Sequence, residues 1–153
     1  MKQEINQFNI RVYALIINER KEVLICDECH NNMEMTKFPG GGLQFGEGTI
    51  DCLKREAIEE FGQDIEIIEH FYTTDFFQKA LFYKDHQLIS IYYRVLFKEI
   101  INFKVSHKPF DFDIKNGNLS FRWCSIDEHL KNTLTFPIDK YVGGLLHKKL
   151  SIQ

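Results

Sequence analysis

The pattern of apolar and polar positions along the chain predicts five β-strands, and a further short strand at the start of the segment 37–67, just before a glycine-rich turn. These segments are rich in β-branched and aromatic residues and end at polar or glycine-containing stretches. The predicted strands are residues 8–17, 22–26, 64–71, 86–97 and 119–124. Only the polar residues 18–21 separate the first two strands, so we expect these strands to pair as a hairpin. Residues 28–36 are polar and are predicted to be a loop, and residues 99–118, which contain Pro109 and Gly117, are predicted to be a long loop.

Apolar residues recur at helical spacing over residues 50–61, which predicts one amphipathic helix. Thr49 stands just before this segment and is the expected N-cap. The apolar stripe is formed by Ile50, Leu53, Ala57 and Phe61. Near the end of the chain, residues 125–128 have the spacing of a capping box that opens a short helix. Pro137 is expected in the first turn of a final helix. These elements predict an α/β fold in which helices cover both sides of a sheet.

Three glutamates lie side by side on the predicted helix. Glu56, Glu59 and Glu60 are spaced i, i+3 and i+4, so their side chains are neighbours on the helix surface. Like charges at this spacing destabilise a solvated helix, whereas a divalent cation would turn the repulsion into binding. Carboxylate oxygens suit Mg²⁺ or Mn²⁺. The alternative interpretation is a solvated acidic face with Lys54 and Arg55 as counter-charges.

A glycine-rich turn immediately precedes this acidic helix. Gly40, Gly41 and Gly42 allow the backbone to bend tightly and to approach a ligand closely. Exposed backbone groups beside a metal-binding helix provide a suitable place for phosphate groups. The turn therefore favours a phosphate-handling site over a merely solvated face.

Residues 41–63 resemble the signature box of the Nudix hydrolase family. That box consists of a glycine, five residues, a glutamate, seven residues, Arg-Glu, an aliphatic residue, one residue, Glu-Glu, one residue, a glycine and an aliphatic residue. The fixed positions are occupied by Gly41, Glu47, Arg55, Glu56, Glu59, Glu60 and Gly62. Ala57 is a small version of the first aliphatic residue, and Gln63 departs from the last one.

The resemblance implies a Nudix-type α/β/α sandwich with a mixed β-sheet. It also implies hydrolysis of a diphosphate bond in a nucleoside diphosphate derivative, with Mg²⁺ or Mn²⁺ as the cofactor. The metal-binding residues that it implies are Glu56, Glu59, Glu60 and Gly40, the last through its backbone carbonyl. The catalytic residues that it implies are Arg55, Glu47, Glu59 and Glu60. Arg55 would orient the box carboxylates with Glu47 as its partner, and Glu59 or Glu60 would position or deprotonate the attacking water.

Residues outside the box are further candidates. The general base varies among Nudix enzymes, and the distal candidates here are Asp111, Asp113 and Glu99. Each of them is equally explained as a solvated loop acid. The predicted substrate-binding residues are Gly41, Gly42, Phe77 and Phe136. The two aromatic side chains would stack on a base or sugar, although aromatic residues commonly belong to the core instead.

The substrate class is narrowed by what the sequence downstream of the box lacks. The proline and the tyrosine that mark ADP-ribose and diadenosine polyphosphate enzymes do not stand near residues 78–81. The SQPWPFPxS array of NADH-type enzymes is also missing. A nucleoside triphosphate or a nucleotide sugar is therefore the expected substrate. Two alternatives are a catalytically silent Nudix-like nucleotide sensor and a diphosphate isomerase of the isoprenoid type, which shares the fold but not this intact box.

Composition limits the number of domains, the kinds of partner and the cellular location that we expect for this chain. A chain of 153 residues with 44% hydrophobic residues fits a single domain, here 1–153. Its net charge of -3 does not suggest a nucleic-acid partner, which needs a basic surface. No apolar run reaches the roughly 18 residues of a membrane span, and no apolar signal core is found near Met1. We therefore expect a cytoplasmic protein. A homodimer is a further expectation, since Nudix proteins often pair.

Two sequence features call for separate predictions. Cys26 and Cys29 form a single Cys-x-x-Cys pair followed by His30, which lacks the second ligand pair of a zinc site. We predict that both are reduced thiols that hold neither a metal nor a required disulfide. Residues 99–118 form a long segment between two predicted strands. We expect this segment to shape the access of the substrate to the site and to become ordered when the substrate binds.

Overall fold

The computed structural model describes residues 4–113 and 118–152. Within this part of the chain the helices and strands follow one another in mixed α/β order. They are β1 (Gln7–Ile16), β2 (Glu22–His30), β3 (Met33–Lys37), β4 (Gly40–Gly42), α1 (Thr49–Phe61), β5 (Ile65–Thr73), β6 (His86–Phe97), β7 (Leu119–Ser125), α2 (Leu130–Thr133) and α3 (Pro137–Ser151). The chain divides into two compact units. The first comprises the chain up to Ala14 and Gly40–Glu99, and the second comprises Leu15–Pro39 and the chain from Ile100 onward.

The first unit is built on a four-stranded sheet in the order β4-β1-β6-β5. β4 is an edge strand of three glycines, and its central residue, Gly41, lies opposite Val12 of β1. β6 has the predicted bounds and pairs with β5 in antiparallel register. α1 buries Leu53, Ala57 and Phe61 as predicted, and Phe61 contacts Phe97 edge-on with ring centroids 5.1 Å apart.

Two details of α1 differ from the prediction. The N-cap is Gly48, and Thr49 is already helical. The backbone N–H of Gly48 donates to the carboxylate of Asp51 at 2.9 Å, so an acidic side chain three residues on satisfies the helix entrance. Ile50 is 42% exposed, and Cys52 occupies the buried side of the first turn instead. The chain leaves α1 through Gly62, whose φ of 67° is the left-handed conformation of a helix C-cap.

The second unit contains a three-stranded antiparallel sheet in the order β3-β2-β7. The predicted hairpin of the first two strands is confirmed only at its turn, where Ile17 and Val23 form an isolated antiparallel bridge. Beyond this bridge the prediction is wrong, because β2 pairs with β3 and β7. The predicted polar loop at 28–36 is also wrong, because most of it belongs to β2 and β3. Asn31 and Asn32 connect these strands with φ values of 51° and 58°. Asparagine tolerates this left-handed conformation, which two-residue hairpin turns require.

A fully buried carboxylate lies at the centre of this second sheet. Asp27 of β2 accepts two hydrogen bonds from the Arg122 guanidinium, at 2.7 and 3.2 Å. The Thr36 hydroxyl donates to it at 2.7 Å and the Phe110 backbone N–H at 3.2 Å. Four donors therefore compensate the buried charge, as a buried carboxylate requires. One of them belongs to the segment after residue 99, which the carboxylate thus fastens to the sheet.

The segment after residue 99 has no helix or named strand of its own over the described residues 99–113. Val105 forms an isolated parallel bridge with Phe121 of β7, and the Ser106 N–H donates to the Phe121 carbonyl at 2.7 Å. The predicted loop extends over residues 114–117, which lie outside the described residues. These contacts anchor its described part to the second sheet.

The two C-terminal helices follow the prediction in part. α3 begins at Pro137, as expected. The capping box predicted at residues 125–128 is wrong, because β7 continues to Ser125 and α2 begins only at Leu130. Asp127 instead accepts a hydrogen bond from the His129 backbone N–H at 2.8 Å. Among the described helices, none has both the length and the apolar character needed to cross a membrane.

Candidate active site

The glycine strand β4 brings the backbone into direct contact with α1. A Cβ atom on Gly41 would collide with the Glu56 carboxylate, so that carboxylate lies flat on the Gly41 backbone. Gly40 has a φ of 149°, which side chains disfavour, and a Cβ there would collide with the backbone of β1 at Val12 and Tyr13. Close approach therefore requires glycine at positions 40 and 41, by β1 at the first and by Glu56 at the second.

Arg55 joins the glycine turn to the acidic face of α1. Its guanidinium donates to both oxygens of Glu47, at 2.7 and 3.0 Å, and to the Gly42 carbonyl at 3.0 Å. Its Nη1 atom donates to Glu56 at 2.9 Å and lies 3.3 Å from the nearer oxygen of Glu59. One arginine thus holds three carboxylates, and a planar fork of donors is suited to this task.

The charges at this arginine reinforce one another. The Arg55 hydrogen bonds lower the pKa of Glu47 from its usual 4.5 to about 2, and the Gln44 backbone N–H helps by donating to Glu47 at 2.8 Å. The Glu47 contact likewise raises the pKa of Arg55. Both groups are therefore charged throughout the physiological pH range.

Cys52 lies directly beneath this network. Its sulfur is buried and lies 3.5 Å from the Gly42 carbonyl and 3.7 Å from Arg55. Burial, followed by the negative charge of Glu47, raises the pKa of the thiol to about 12. A thiol with such a pKa is a packing and hydrogen-bonding group, because nucleophilic attack requires the thiolate.

A second contact secures the start of α1 to the sheet. The hydroxyl groups of Thr49 and Tyr93 share a hydrogen bond of 2.7 Å. The Tyr93 ring is held in turn by His70, which lies edge-on at 5.6 Å on the neighbouring strand. Because Thr49 is the first helical residue, this bond fixes the position of the turn that carries Glu47.

The NUDIX domain family model matches residues 7–142. The chain belongs to the Nudix family. The resemblance to this family that was found in the sequence is thereby confirmed. Family membership implies hydrolysis of nucleoside diphosphate derivatives, so the chain is a Nudix pyrophosphohydrolase. A search of curated proteins found none that matches this sequence.

Solved structures confirm the Nudix fold. The MutT protein of Methanosarcina mazei Go1 superimposes with a TM-score of 0.67 at 20% identity, covering 94% of this chain and 96% of that one. The Nudix hydrolase of Nitrosomonas europaea gives 0.65 at 19% identity, with 90% of each chain covered. The ORF135 protein of E. coli gives 0.64 at 18% identity, with 95% and 91% covered. At these identities the likeness shows a shared α/β fold.

Nudix hydrolases generally use divalent cations, and the carboxylate groups on the acidic face of α1 are chemically suited to bind such an ion. Glu56 and Glu59 supply hard oxygen ligands that converge on one arginine nitrogen. Glu59 is 56% exposed at its side chain and can therefore turn toward an ion. Within the described residues, no three His, Cys, Asp or Glu side chains already stand at metal-binding distances. The roles predicted for Glu60 and for the Gly40 carbonyl stay predictions.

The other predicted Nudix site residues are distributed over both units. Phe77 lies in the first unit, in the connection between β5 and β6, and is 63% exposed. Glu99, the last residue of that unit, is exposed just beyond β6. Phe136 caps α3 in the second unit and is half-buried. The contacts described above join residues within the box. The substrate-binding roles of Phe77 and Phe136 stay predictions.

The two distal aspartates differ in their surroundings. Asp111 lies 3.2 Å from the Lys104 amine and 3.4 Å from that of Lys108. The hydrogen bond from Lys104 is the main cause of a lowered pKa of Asp111. A carboxylate with a lowered pKa is a weaker proton acceptor. Asp113 is exposed, and its backbone carbonyl accepts a hydrogen bond from Asn118 at 2.7 Å.

Sequence reasoning missed contacts made by three residues that lie within or next to the box. Tyr93, Thr49 in its observed role and Arg11 of β1 all contact the glycine strand or the first turn of α1. A signal for Arg11 existed, since it is the one charged residue in the apolar stretch FNIRVYALII. Nothing comparable distinguished Tyr93, because β6 contains several aromatic residues.

Proposed function

We propose that this Nudix protein hydrolyses a diphosphate bond in a nucleoside triphosphate or a nucleotide sugar, using Mg²⁺ or Mn²⁺. The observation that carries the proposal is the convergence of Glu56 and Glu59 on one nitrogen of Arg55, directly beside the side-chain-free backbone of β4. Such an arrangement offers oxygen ligands for a cation and an unobstructed backbone surface for a phosphate chain.

Each box residue has a defined task in this proposal. Glu56, Glu59 and Glu60 would hold the cation, with the Gly40 carbonyl as a further ligand. A bound divalent ion neutralises the diphosphate and lowers the pKa of water. Arg55 keeps Glu56 against Gly41, and Glu47 keeps Arg55 oriented through its two-pronged contact.

The general base is proposed to be Glu59 or Glu60. Glu59 is exposed, and its contacts with Arg55, at 3.3 and 3.4 Å, are longer than those that Arg55 makes with Glu47 and Glu56, so it can turn toward a water molecule. Asp111 is less suited, because the lysines beside it stabilise its ionised form. Asp113 and Glu99 stay as alternatives, and single substitutions to Asn and Gln test them in the same assay.

Phosphate release from a panel of nucleoside triphosphates, nucleotide sugars and dinucleoside polyphosphates tests the proposal. We expect turnover that requires Mg²⁺ or Mn²⁺ and that falls at least about a hundredfold in Glu59→Gln or Glu60→Gln. The exposed Glu66→Gln, on β5, is the matched control and should keep full activity. Folded Glu59→Gln and Glu60→Gln variants with the turnover of the parent protein would disprove the metal assignment.

Thermal denaturation separates binding from catalysis. A cation that binds only the folded state should raise the melting temperature as its concentration rises. We expect this rise with Mg²⁺ and Mn²⁺ in the parent protein and a smaller one in Glu56→Gln. A rise in melting temperature without turnover on any nucleotide would favour the silent sensor over the enzyme. Size-exclusion chromatography of the same samples tests the expected homodimer.

A further inference from the structure

Two residues of β6 contact the two ends of α1. At the start of the helix, the hydroxyl groups of Thr49 and Tyr93 share a hydrogen bond of 2.7 Å. At its end, the rings of Phe61 and Phe97 meet edge-on with centroids 5.1 Å apart. Tyr93 and Phe97 are four positions apart on one strand, so their side chains point to the same face of the sheet. Both ends of α1 are therefore fastened to that face of β6.

β6 is a firmer support for α1 than the glycine strand is. β4 has three residues and lies at the edge of the sheet, whereas β6 has 12 residues and lies between β1 and β5. The first turn of α1 contacts β4 through Cys52, whose sulfur is 3.5 Å from the Gly42 carbonyl. A short edge strand opens locally more readily than a long interior strand. The bond to Tyr93 thus joins the first turn to the more stable part of the sheet.

The Tyr93 ring is itself held from the neighbouring strand. His70 of β5 is its cross-strand partner and lies edge-on to it at 5.6 Å. The Nε2 atom of His70 shares a hydrogen bond of 2.8 Å with the Thr73 hydroxyl, which restricts the rotation of the imidazole. Paired rings on adjacent strands stabilise each other's positions. The Tyr93 hydroxyl is therefore presented to α1 by a ring whose motion is limited.

The turn that Tyr93 holds leads directly into the charged network of the box. Thr49 follows Glu47 by two positions, and Gly48 between them is the N-cap of α1. Glu47 holds the Arg55 guanidinium at 2.7 and 3.0 Å, and Arg55 in turn holds Glu56. A shift of the first turn would therefore move the support of Arg55. Displacements of about 1 Å at such a support can lower turnover by roughly 100-fold.

We propose that Tyr93 is a positioning residue of the Nudix site, which acts through the Thr49 hydroxyl to fix the turn that carries Glu47. This inference rests on the proposed function, since its kinetic test needs a substrate that the protein hydrolyses. The phenolic hydroxyl can be removed without emptying the space that the ring fills. Tyr93→Phe therefore separates the positioning bond from the packing of the ring against His70.

Kinetics of hydroxyl-deleting variants test the proposal on the best substrate of the panel at saturating Mg²⁺. Tyr93→Phe should lower kcat about 10-fold, less than a full 1 Å displacement would, and change KM less than about threefold. Thr49→Val should cause the same loss, whereas Thr49→Ser keeps a hydroxyl and should retain most of the activity. The double variant Tyr93→Phe/Thr49→Val should be no worse than either single variant, because the two hydroxyls form one bond. Losses that multiply would contradict the proposal.

A matched control removes a tyrosine hydroxyl from the other side of the same sheet. Tyr72 of β5 donates to Asp75 at 2.6 Å, and its ring contacts Tyr92, which points to the face opposite Tyr93. Tyr72→Phe should leave kcat unchanged. If it lowers kcat as much as Tyr93→Phe does, the effect is a general weakening of the sheet and the proposal is wrong.

Hydrogen exchange separates this inference from the proposed function, because it needs no substrate. The backbone amides of residues 52–54 bond the carbonyl groups at the start of α1, as the Cys52 N–H does to Gly48 at 2.9 Å. In Tyr93→Phe they should exchange about fivefold faster, the factor that one hydrogen bond typically contributes, while residues 59–61 keep the parent rate. Unchanged exchange at 52–54, or equal acceleration at both ends, would overturn the positioning role. Faster exchange at 52–54 alone, in a protein that hydrolyses no nucleotide, would defeat the proposed function and leave the contact between Tyr93 and Thr49 as the support of this turn.

Discussion

The buried carboxylate of Asp27 allows a quantitative test of the second unit. Arg122→Met removes two of the four donors on Asp27 and keeps an unbranched apolar stem as far as the position of the arginine Nε. The Thr36 hydroxyl and the Phe110 N–H stay in place, but the charge of the carboxylate loses its counter-ion. Because Asp27 is fully buried, water cannot take over that function. We therefore expect a large loss of stability.

The magnitude follows from the burial of the two partners. Removing one partner of a buried ion pair costs about 3–5 kcal/mol of unfolding free energy. The Arg122 side chain is 16% exposed, so some solvent screening applies and the lower end of that range is expected. For a domain of this size, a loss of about 3 kcal/mol lowers the melting temperature by roughly 6–12 °C.

Urea denaturation of single and double variants is the appropriate assay. Asp27→Asn on the background of Arg122→Met removes the uncompensated charge while its amide oxygen still accepts from Phe110. The double variant should therefore be more stable than Arg122→Met alone. The exposed pair of Arg94 and Glu69 is the control, and Arg94→Met should cost less than about 1 kcal/mol. If the losses from Asp27→Asn and Arg122→Met simply add, the reasoning about a buried charge is refuted.

Three further predictions concern the box. Gly41→Ala should lower activity by about 10- to 100-fold, because the added methyl group displaces the Glu56 carboxylate from its place beside the strand. The control is Gly144→Ala in α3, where an added Cβ meets open space. Glu47 has a pKa of about 2 in the folded protein, so its contribution to stability is present above its unfolded pKa and is lost as the pH falls toward 2. The difference in unfolding free energy between the parent and Glu47→Gln should accordingly shrink over that pH range, and a pH-independent difference would contradict it. Cys52, with a pKa of about 12, should resist iodoacetamide at pH 8 in the folded protein and react after unfolding.

Local sequence rules predicted the strongest helices and strands well, and the resemblance to the Nudix family located the box. The apolar spacing of α1, the bounds of β6 at His86–Phe97 and the start of α3 at Pro137 all depend on residues close together in the chain. The pairing of Arg55 with Glu47 was also predictable, since the residues are eight positions apart and the box fixes both. Where a feature is determined by neighbouring residues, the sequence is sufficient.

Pairings between distant residues were not predictable in this way. β2 selects β7 as one neighbour, and these strands are about ninety residues apart in sequence. Its other neighbour, β3, contains Glu34, Thr36 and Lys37, so its polar composition resembled a loop. Asp27 lies just past the predicted strand 22–26, and its partner Arg122 is 95 positions away, so the sequence did not reveal their contact. A polar residue in a strand is informative only when its partner is known, and single-sequence patterns do not supply that partner.

The repulsion expected within the acidic helix takes a different form in the folded protein. Glu56 and Glu59 both bond one nitrogen of Arg55, so part of their mutual repulsion is already offset before any cation binds. The same arginine is anchored by Glu47 and by the Gly42 carbonyl, which belong to the turn and strand rather than to the helix. The orientation of Glu56 therefore depends on backbone outside α1. This explains why glycines, an upstream glutamate and a helical arginine occur together with the acidic residues, since together they position carboxylates that would otherwise repel one another.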